Sequence, residues 1–333
     1  MIKTLTVASA LALTTAFGSA QAGLQTFQTF GGNVGLSSDG FGSSSGTGII
    51  SAEVPAGSSV IGAYLYTATP GTPAAPTTVT FEGTAVSYNA SFVDTSSGAT
   101  LSSHRTDVTS IVSNAIGGGG GFFDFDVAEG ANNDSIDGHA LVVVYDNPGL
   151  PESTIGILDG FADVTGDTTT INFADPIDPT DPDFVAEMRL GISFSCCDQR
   201  SRVEVNGGLL TENAGNFDDG EDLANGSLIT VGGFDDAFSP SNPSYEEDTE
   251  RYDLSSFVSQ GDTSIVIDTF NASRDDNIFL ALFNITGRAG VNAPPPPPTT
   301  PGPTDPVPLP AGAYFLITGL AGVAAARKMK SSR

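Results

Sequence analysis

The sequence predicts an all-β protein, organised as one or two β-sandwich units, then a Pro-rich stalk and a C-terminal transmembrane helix. Short apolar runs, many of them alternating with polar residues, recur along the chain. They are punctuated by turn formers, with 40 Gly and 21 Pro among 333 residues. Stretches of helical period are few, and the aromatic residues are mainly Phe, with no Trp.

The chain opens with "MIKTLTVASALALTTAFGSAQA", in which Lys3 precedes an apolar run from Leu5 to Phe17. Small residues at Ala20 and Ala22 then stand just before Gly23. This is the layout of a secretory signal, so residues 1–22 are expected to be removed by signal peptidase.

Strands are expected at "SVIGAYLYTA" (59–68), "TVTFEG" (78–83), "GFFDFDVA" (121–128) and "HALVVVYD" (139–146). Further strands are expected at "RVEVNG" (202–207), "TSIVIDTF" (263–270) and "IFLALFNITG" (278–287). Most alternate, as half-buried sandwich strands do, but "LVVVY" is apolar throughout and reads as a central strand covered on both faces.

Two segments resemble each other. "RTDVTSIVS" (105–113) and "RYDLSSFVS" (251–259) share the order Arg, Asp, apolar, hydroxyl, Ser, apolar, Val, Ser. A hairpin-like stretch precedes each, "VTFEGTAV" (79–86) and "VEVNGGLL" (203–210), and an alternating strand, a polar loop and a long apolar strand follow. Two related β units are therefore expected, at 23–150 and 151–290. The second carries an insertion, "TENAGNFDDGEDLANGSLITVGGFDDAFSPSNPSYEEDTE", and long loops in compact domains are often functional. Asp107 and Asp253 each stand where a carboxylate caps the first amides of a helical turn. Such a turn leading into a core strand resembles a pattern of galactose-binding-like jelly-roll domains, which implies jelly-roll-like sandwiches rather than sugar binding.

Charge bounds the function. Of 12 basic residues, Lys3, Arg327, Lys328, Lys330 and Arg333 lie in the terminal segments; the rest are all Arg and face 39 acidic residues. A formal charge of −27 repels nucleic acid and anionic lipid. It suits solubility or divalent cations, and calcium is the cation that clustered carboxylates and loop carbonyls would hold. The candidate ligands are Asp175, Asp178, Asp181 and Asp183 in one loop, and Asp218, Asp219, Glu221, Asp222 and Asn225 in another. A third acidic stretch, "RDDN", spans 274–277. A solvated acidic loop is the competing reading of each.

Cys196 and Cys197 are adjacent, so an exported chain would hold them as a vicinal disulfide or as a pair of thiols. No nucleophile elbow, zinc-binding His pair or phosphate loop is present, and catalysis is not expected. His139 is expected at a strand edge rather than in a triad.

Residues 291–306 include "NAPPPPPTTPGPTDP", a semi-rigid extended stalk. The end, "VPLPAGAYFLITGLAGVAAARKMKSSR" (307–333), joins the motif Val307, Pro308, Leu309, Pro310 and Ala311 to an apolar stretch and a basic cluster. As a helix, 309–326 would rise about 27 Å, near the roughly 30 Å of a bilayer's hydrocarbon core. The basic cluster would stay cytoplasmic. This tail resembles the VPLPA-type C-terminal sorting signal, a relative of the PEP-CTERM signals of Gram-negative bacteria. The resemblance implies transient retention in the inner membrane, processing by an exosortase, and delivery to the surface or extracellular space, often beside exopolysaccharide. A permanent single-pass anchor is the alternative. "GHALVVVYDNPGLPESTIGILDGF" (138–161) is similar to uncharacterised β-rich regions of bacterial surface proteins, to which no activity attaches.

The function expected is a structural or adhesive role at the surface or in the extracellular matrix. The alternative is a carbohydrate-binding module, which without Trp would stack sugars on Tyr64, Tyr66, Tyr88 and Tyr245. A secreted hydrolase ranks third.

Overall fold

A computed structural model describes residues 23–43, 45–72, 74–95, 98–130, 135–195, 200–215, 228–271 and 277–296. The expected signal sequence, Cys196 and Cys197, Asp218 to Asn225, Arg274 to Asp276 and the 307–333 tail with its expected membrane helix lie outside the described residues. Among the described residues no helix is long and apolar enough to cross a membrane.

The protein is all-β, and its described residues place antiparallel strands in four sheets. Inner sheet I runs in the order β2 (Val34–Gly42), β10 (Gly138–Asp146), β4 (Ser59–Pro70), β8 (Leu101–Asp107), β7 (Ala90–Asp94). Outer sheet I runs β3 (Thr47–Val54), β9 (Gly121–Ala128), β5 (Thr80–Phe81), β6 (Thr84–Ala85). Inner sheet II runs β1 (Gln25–Gly32), β11 (Ser153–Asp159), β19 (Asn277–Thr286), β13 (Ala186–Ser193), β16 (Ile229–Val231), and β17 (Arg251–Asp253) also pairs with β13. Outer sheet II runs β15 (Gly208–Ala214), β14 (Ser201–Val205), β18 (Ser264–Phe270), β12 (Asp167–Phe173), β20 (Ala289–Val291).

Three apolar layers separate these sheets. Phe41, Ile50, Leu65, Phe81, Phe125 and Leu141 fill the space between outer and inner sheet I. Ile171, Met188, Leu190, Val203, Ile265 and Phe283 fill the corresponding space in the second half. Leu36, Tyr66, Val142, Ile155, Phe279 and Leu282 join the two inner sheets face to face. Side chains alternate along a strand, so an inner strand must be apolar on both sides and an outer strand on one. Leu141 and Val143 of β10 face one layer while Val142 and Val144 face the other, which accounts for the unbroken "LVVVY". On outer strand β18, Ile265 and Ile267 are buried while Ser264, Val266 and Asp268 are only partly covered.

The strand order β2-β10-β4-β8 recurs as β11-β19-β13-β17, and β3-β9-β5-β6 recurs as β12-β18-β14-β15. β1 departs from this correspondence. It lies next to β2 in sequence but pairs with β11 in inner sheet II.

The similar sequence segments occupy matching places. After β8, helix α1 (Thr109–Ile116) buries Val112 and Ile116, and the Thr109 amide donates to Asp107 Oδ1 at 2.8 Å. After β17 a 3₁₀ turn (Ser255–Phe257) follows, with the Ser255 amide donating to Asp253 Oδ1 at 2.9 Å. Both preceding hairpins close on two residues of positive φ, Glu82 and Gly83 at 50° and 67°, and Asn206 and Gly207 at 49° and 75°. That is the type I′ geometry whose twist matches the strands it joins. A Cβ on Gly207 would meet nothing within 4 Å, so the cost of Gly207→Ala is conformational alone. Urea melts are expected to show a loss of about 1–2 kcal/mol; an unchanged midpoint would be at odds with the left-handed turn.

Candidate functional site

Three arginines in a cation-poor body mark where its ionic chemistry is concentrated. Arg105 of β8 pairs with Asp159 at the end of β11, across the two inner sheets. The Tyr66 hydroxyl donates to the same carboxylate at 3.1 Å, and the guanidinium lies 3.3 Å from the centroid of the Phe27 ring. Burial pushes the Asp159 carboxyl up, and Arg105 and Tyr66 pull against that.

The second cluster centres on Glu187 of β13. Its Oε1 accepts from Arg189 Nε and from Arg251 Nε, each at 2.7 Å. Arg189 Nη1 also donates to Ser38 Oγ of β2 at 2.9 Å, and that hydroxyl donates to the Gly232 carbonyl at 2.8 Å. Arg251 Nη1 donates to the carbonyls of Phe234 and Asp236 at 3.1 and 2.5 Å. Residues 228–250 of the insertion are thereby tied to both inner sheets. Its Phe234 amide donates to Ser38 O at 2.9 Å on the open side of β2, and the Phe234 ring stands 5.6 Å from Phe122. This stretch, expected on its length to be functional, works as a clamp over a strand edge.

A third polar group lies inside the first half. His139 is fully buried on β10, between β2 and β4, rather than at the edge expected for it. Its Nε2 meets Glu129 Oε1 at 3.0 Å and its Nδ1 meets Thr67 Oγ1 at 2.8 Å. Ser43 Oγ donates to Glu129 Oε2 at 2.5 Å, and Thr67 Oγ1 lies 2.6 Å from the Tyr88 hydroxyl. A consistent pattern has the Tyr88 hydroxyl donating to Thr67 Oγ1, the Thr67 hydroxyl to His139 Nδ1 and the imidazole Nε2–H to Glu129 Oε1. Carboxylate, imidazole and hydroxyl are aligned as in a catalytic relay, but Glu129, His139 and Thr67 are all fully buried. Burial also pushes the Tyr88 phenol up, away from the ionised form. The arrangement satisfies buried polar groups and presents no nucleophile to a substrate.

Of the predicted calcium ligands, the structure describes the 175–183 loop. Asp175, Asp178 and Asp181 line a cleft of about 280 Å³ with Phe173, Ile177 and Phe184. Arg288 joins them, 3.6 Å from Glu152 and 3.8 Å from Asp175. Two of the loop carboxylates are taken up by backbone turns. Asp178 Oδ1 accepts from Thr180 Oγ1 at 2.6 Å and from the Thr180 amide at 3.0 Å, which holds its carboxyl below the ordinary range. Asp181 Oδ1 accepts from the Asp183 amide at 3.0 Å. Among the described residues no three of His, Cys, Asp and Glu gather closely enough to hold a metal ion.

The four tyrosines that a sugar platform would need do not form one. Tyr64, Tyr66 and Tyr245 are buried, and Tyr88 is half-buried beside His104. Tyr64 and Tyr66 belong to the layer between the inner sheets, whereas the Tyr245 hydroxyl donates to the Gly215 carbonyl at 3.2 Å. Sequence reading noticed the repeated Arg-x-Asp segment but gave a role only to its aspartates. The rarity of cations was the available sign that Arg105 and Arg251 carry structural weight.

No protein-family model and no curated protein matches the chain.

Proposed function

We propose that the protein is an exported, exosortase-processed component of the cell surface or extracellular matrix, with a structural or adhesive role. The body is then two related jelly-roll-like sandwich units, 23–150 and 151–290, on a Pro-rich stalk at 291–306. The tail at 307–333 holds it in the inner membrane until processing, and exopolysaccharide is its expected neighbour.

The observation that carries this reading is the intact order of Val307 to Ala311, apolar stretch and basic cluster, on a chain that also opens with a secretory signal. The use of the body's ionic groups supports it, because Arg105 and Arg189 bridge the two inner sheets and Arg251 ties the insertion to β13, rather than being displayed to a ligand. The carbohydrate-binding alternative loses its aromatic platform to burial.

The test is mass spectrometry of the mature C-terminus in cells with and without the exosortase. The expected product ends at or near Val307 to Ala311 when the enzyme is present and keeps the basic tail when it is absent. The same tail in both strains would sink the proposal.

A further inference from the structure

The edges of the sheets are treated unequally. On β3 the Ser51 amide donates to Asp39 Oδ2 at 2.5 Å and the Glu53 amide to Ser37 Oγ at 3.1 Å, so side chains of β2 occupy its open side. The open side of β2 is met in turn by the Phe234 amide. Such covering is how proteins prevent one sheet from adding to another.

Among the described residues β7 carries no comparable cover. It ends inner sheet I, and among the described residues β8 is its one strand partner. The Gly71 amide donates to Thr100 O at 2.7 Å and the Val108 amide to Ala63 O at 2.9 Å, so even-numbered residues of β8 bond towards β4. The odd-numbered Arg105, Ser103 and Leu101 therefore bond towards β7, where they oppose Ala90, Phe92 and Asp94. The amide groups of Ser91 and Val93 are left pointing away from the sheet. Both residues are exposed, Val93 by 37%.

This edge is also free of charge. Between Ala85 and Ser103 the one charged residue is Asp94, and it is buried. On a chain of formal charge −27, most surfaces brought against a second copy would oppose carboxylates. A neutral edge offers a basic partner no attraction, but it lets two acidic copies approach.

We propose that β7 is a self-association edge, at which a second copy of the chain adds its own β7 antiparallel about a two-fold axis. Ser91 opposes Val93 of the other copy, and each such pair exchanges two backbone hydrogen bonds, four in all. Phe92 meets its own counterpart at the closer, non-bonded position between them, where an aromatic pair adds to the contact. Ala90 then faces Asp94, so no two carboxylates stand opposite each other. The result is one inner sheet continuous through both copies.

Analytical ultracentrifugation of the full chain, in detergent and at about 0.5 M salt, where the Debye length is roughly 4 Å, provides the test. At about 100 µM the wild type is expected to dimerise, and Val93→Lys to weaken the dimer at least about tenfold with no change in melting temperature. Ile49→Lys, on a more exposed apolar position of outer sheet I, is expected to leave the dimer intact. Phe92→Cys, with Cys196→Ser and Cys197→Ser to remove the native cysteines, is expected to give a disulfide-linked dimer on oxidation. A wild type that remains monomeric overturns the proposal. So does a dimer that survives Val93→Lys, or a Phe92→Cys chain that dimerises but forms no disulfide-linked dimer on oxidation.

Discussion

Replacing Glu187 by alanine is expected to cost about 3–5 kcal/mol of folding stability, among the largest single effects in the molecule. Glu187 is 4% exposed, and one of its oxygens takes a hydrogen bond from both Arg189 and Arg251. Burial works against its ionisation, but the two guanidinium groups prevail and hold the carboxyl below the ordinary range. Removing the carboxylate leaves the buried Arg189 with a hydroxyl for company and no counter-charge. Taking both charges away tells a different story, because the desolvation of each disappears with it. Glu187→Leu combined with Arg189→Met should therefore be more stable than Glu187→Ala alone, and a double-mutant cycle should return a large coupling. Arg251 keeps its bonds to the carbonyls of Phe234 and Asp236 in every variant. The exposed pair Arg202 and Glu204 serves as the comparison, and Glu204→Ala is expected to cost under about 1 kcal/mol. Urea melts giving the same loss for Glu187→Ala and Glu204→Ala would dispose of the clamp.

That cluster also shows where sequence reading stops. Strands β9, β10, β14, β18 and β19 were legible because their side chains obey one rule, alternation on the outer strands and continuous apolarity on the inner ones. Asn206-Gly207 was legible as a turn because few other residues tolerate its backbone. β13, "AEMRLGIS", was not legible as a strand, since Glu187 and Arg189 look like surface residues until a second sheet is laid over them. β2 was hidden for a related reason. Its Ser37 and Ser38 are buried by bonds to Glu53, Arg189 and Gly232, which lie between 16 and 194 residues away. Local pattern cannot announce partners so remote. In the acidic loop at 175–183, composition showed the carboxylates but not their local use, in which Asp178 and Asp181 each accept from an amide two residues on. His139 followed the same logic, read as an edge residue because its partners Glu129 and Thr67 come from other strands or loops.

The second large effect is a dependence of stability on pH that two buried groups drive in opposite directions. Asp137 lies beside the junction of the inner sheets, its Oδ2 accepting from the Phe194 amide at 3.0 Å. Burial pushes its carboxyl up to about 7, and the Phe194 amide pulls it back only in part. His104 is buried on β8, with Ser91 Oγ at 2.8 Å from Nδ1 and Thr69 Oγ1 at 3.0 Å from Nε2, and burial lowers its imidazole to about 4. Between pH 3.8 and about 7 the folded chain holds a proton on Asp137 that the unfolded chain releases, so this group makes stability fall as pH rises. Between about 4 and 6.5 the unfolded chain protonates His104 while the folded chain does not, so this group makes stability rise with pH. The two slopes oppose each other over most of the acidic range and leave Asp137 alone near neutrality. Asp137→Asn should remove the falling slope, worth about 4 kcal/mol across its window, and gain most on the wild type above pH 7. His104→Gln should remove the rising one, gaining on the wild type below pH 5. A constant packing penalty in either variant displaces its curve vertically and leaves the difference in slope untouched. Urea midpoints for the three proteins from pH 4 to pH 8 decide the matter. A constant gap between wild type and Asp137→Asn across that range would mean that the Asp137 carboxyl titrates alike in the folded and unfolded chain.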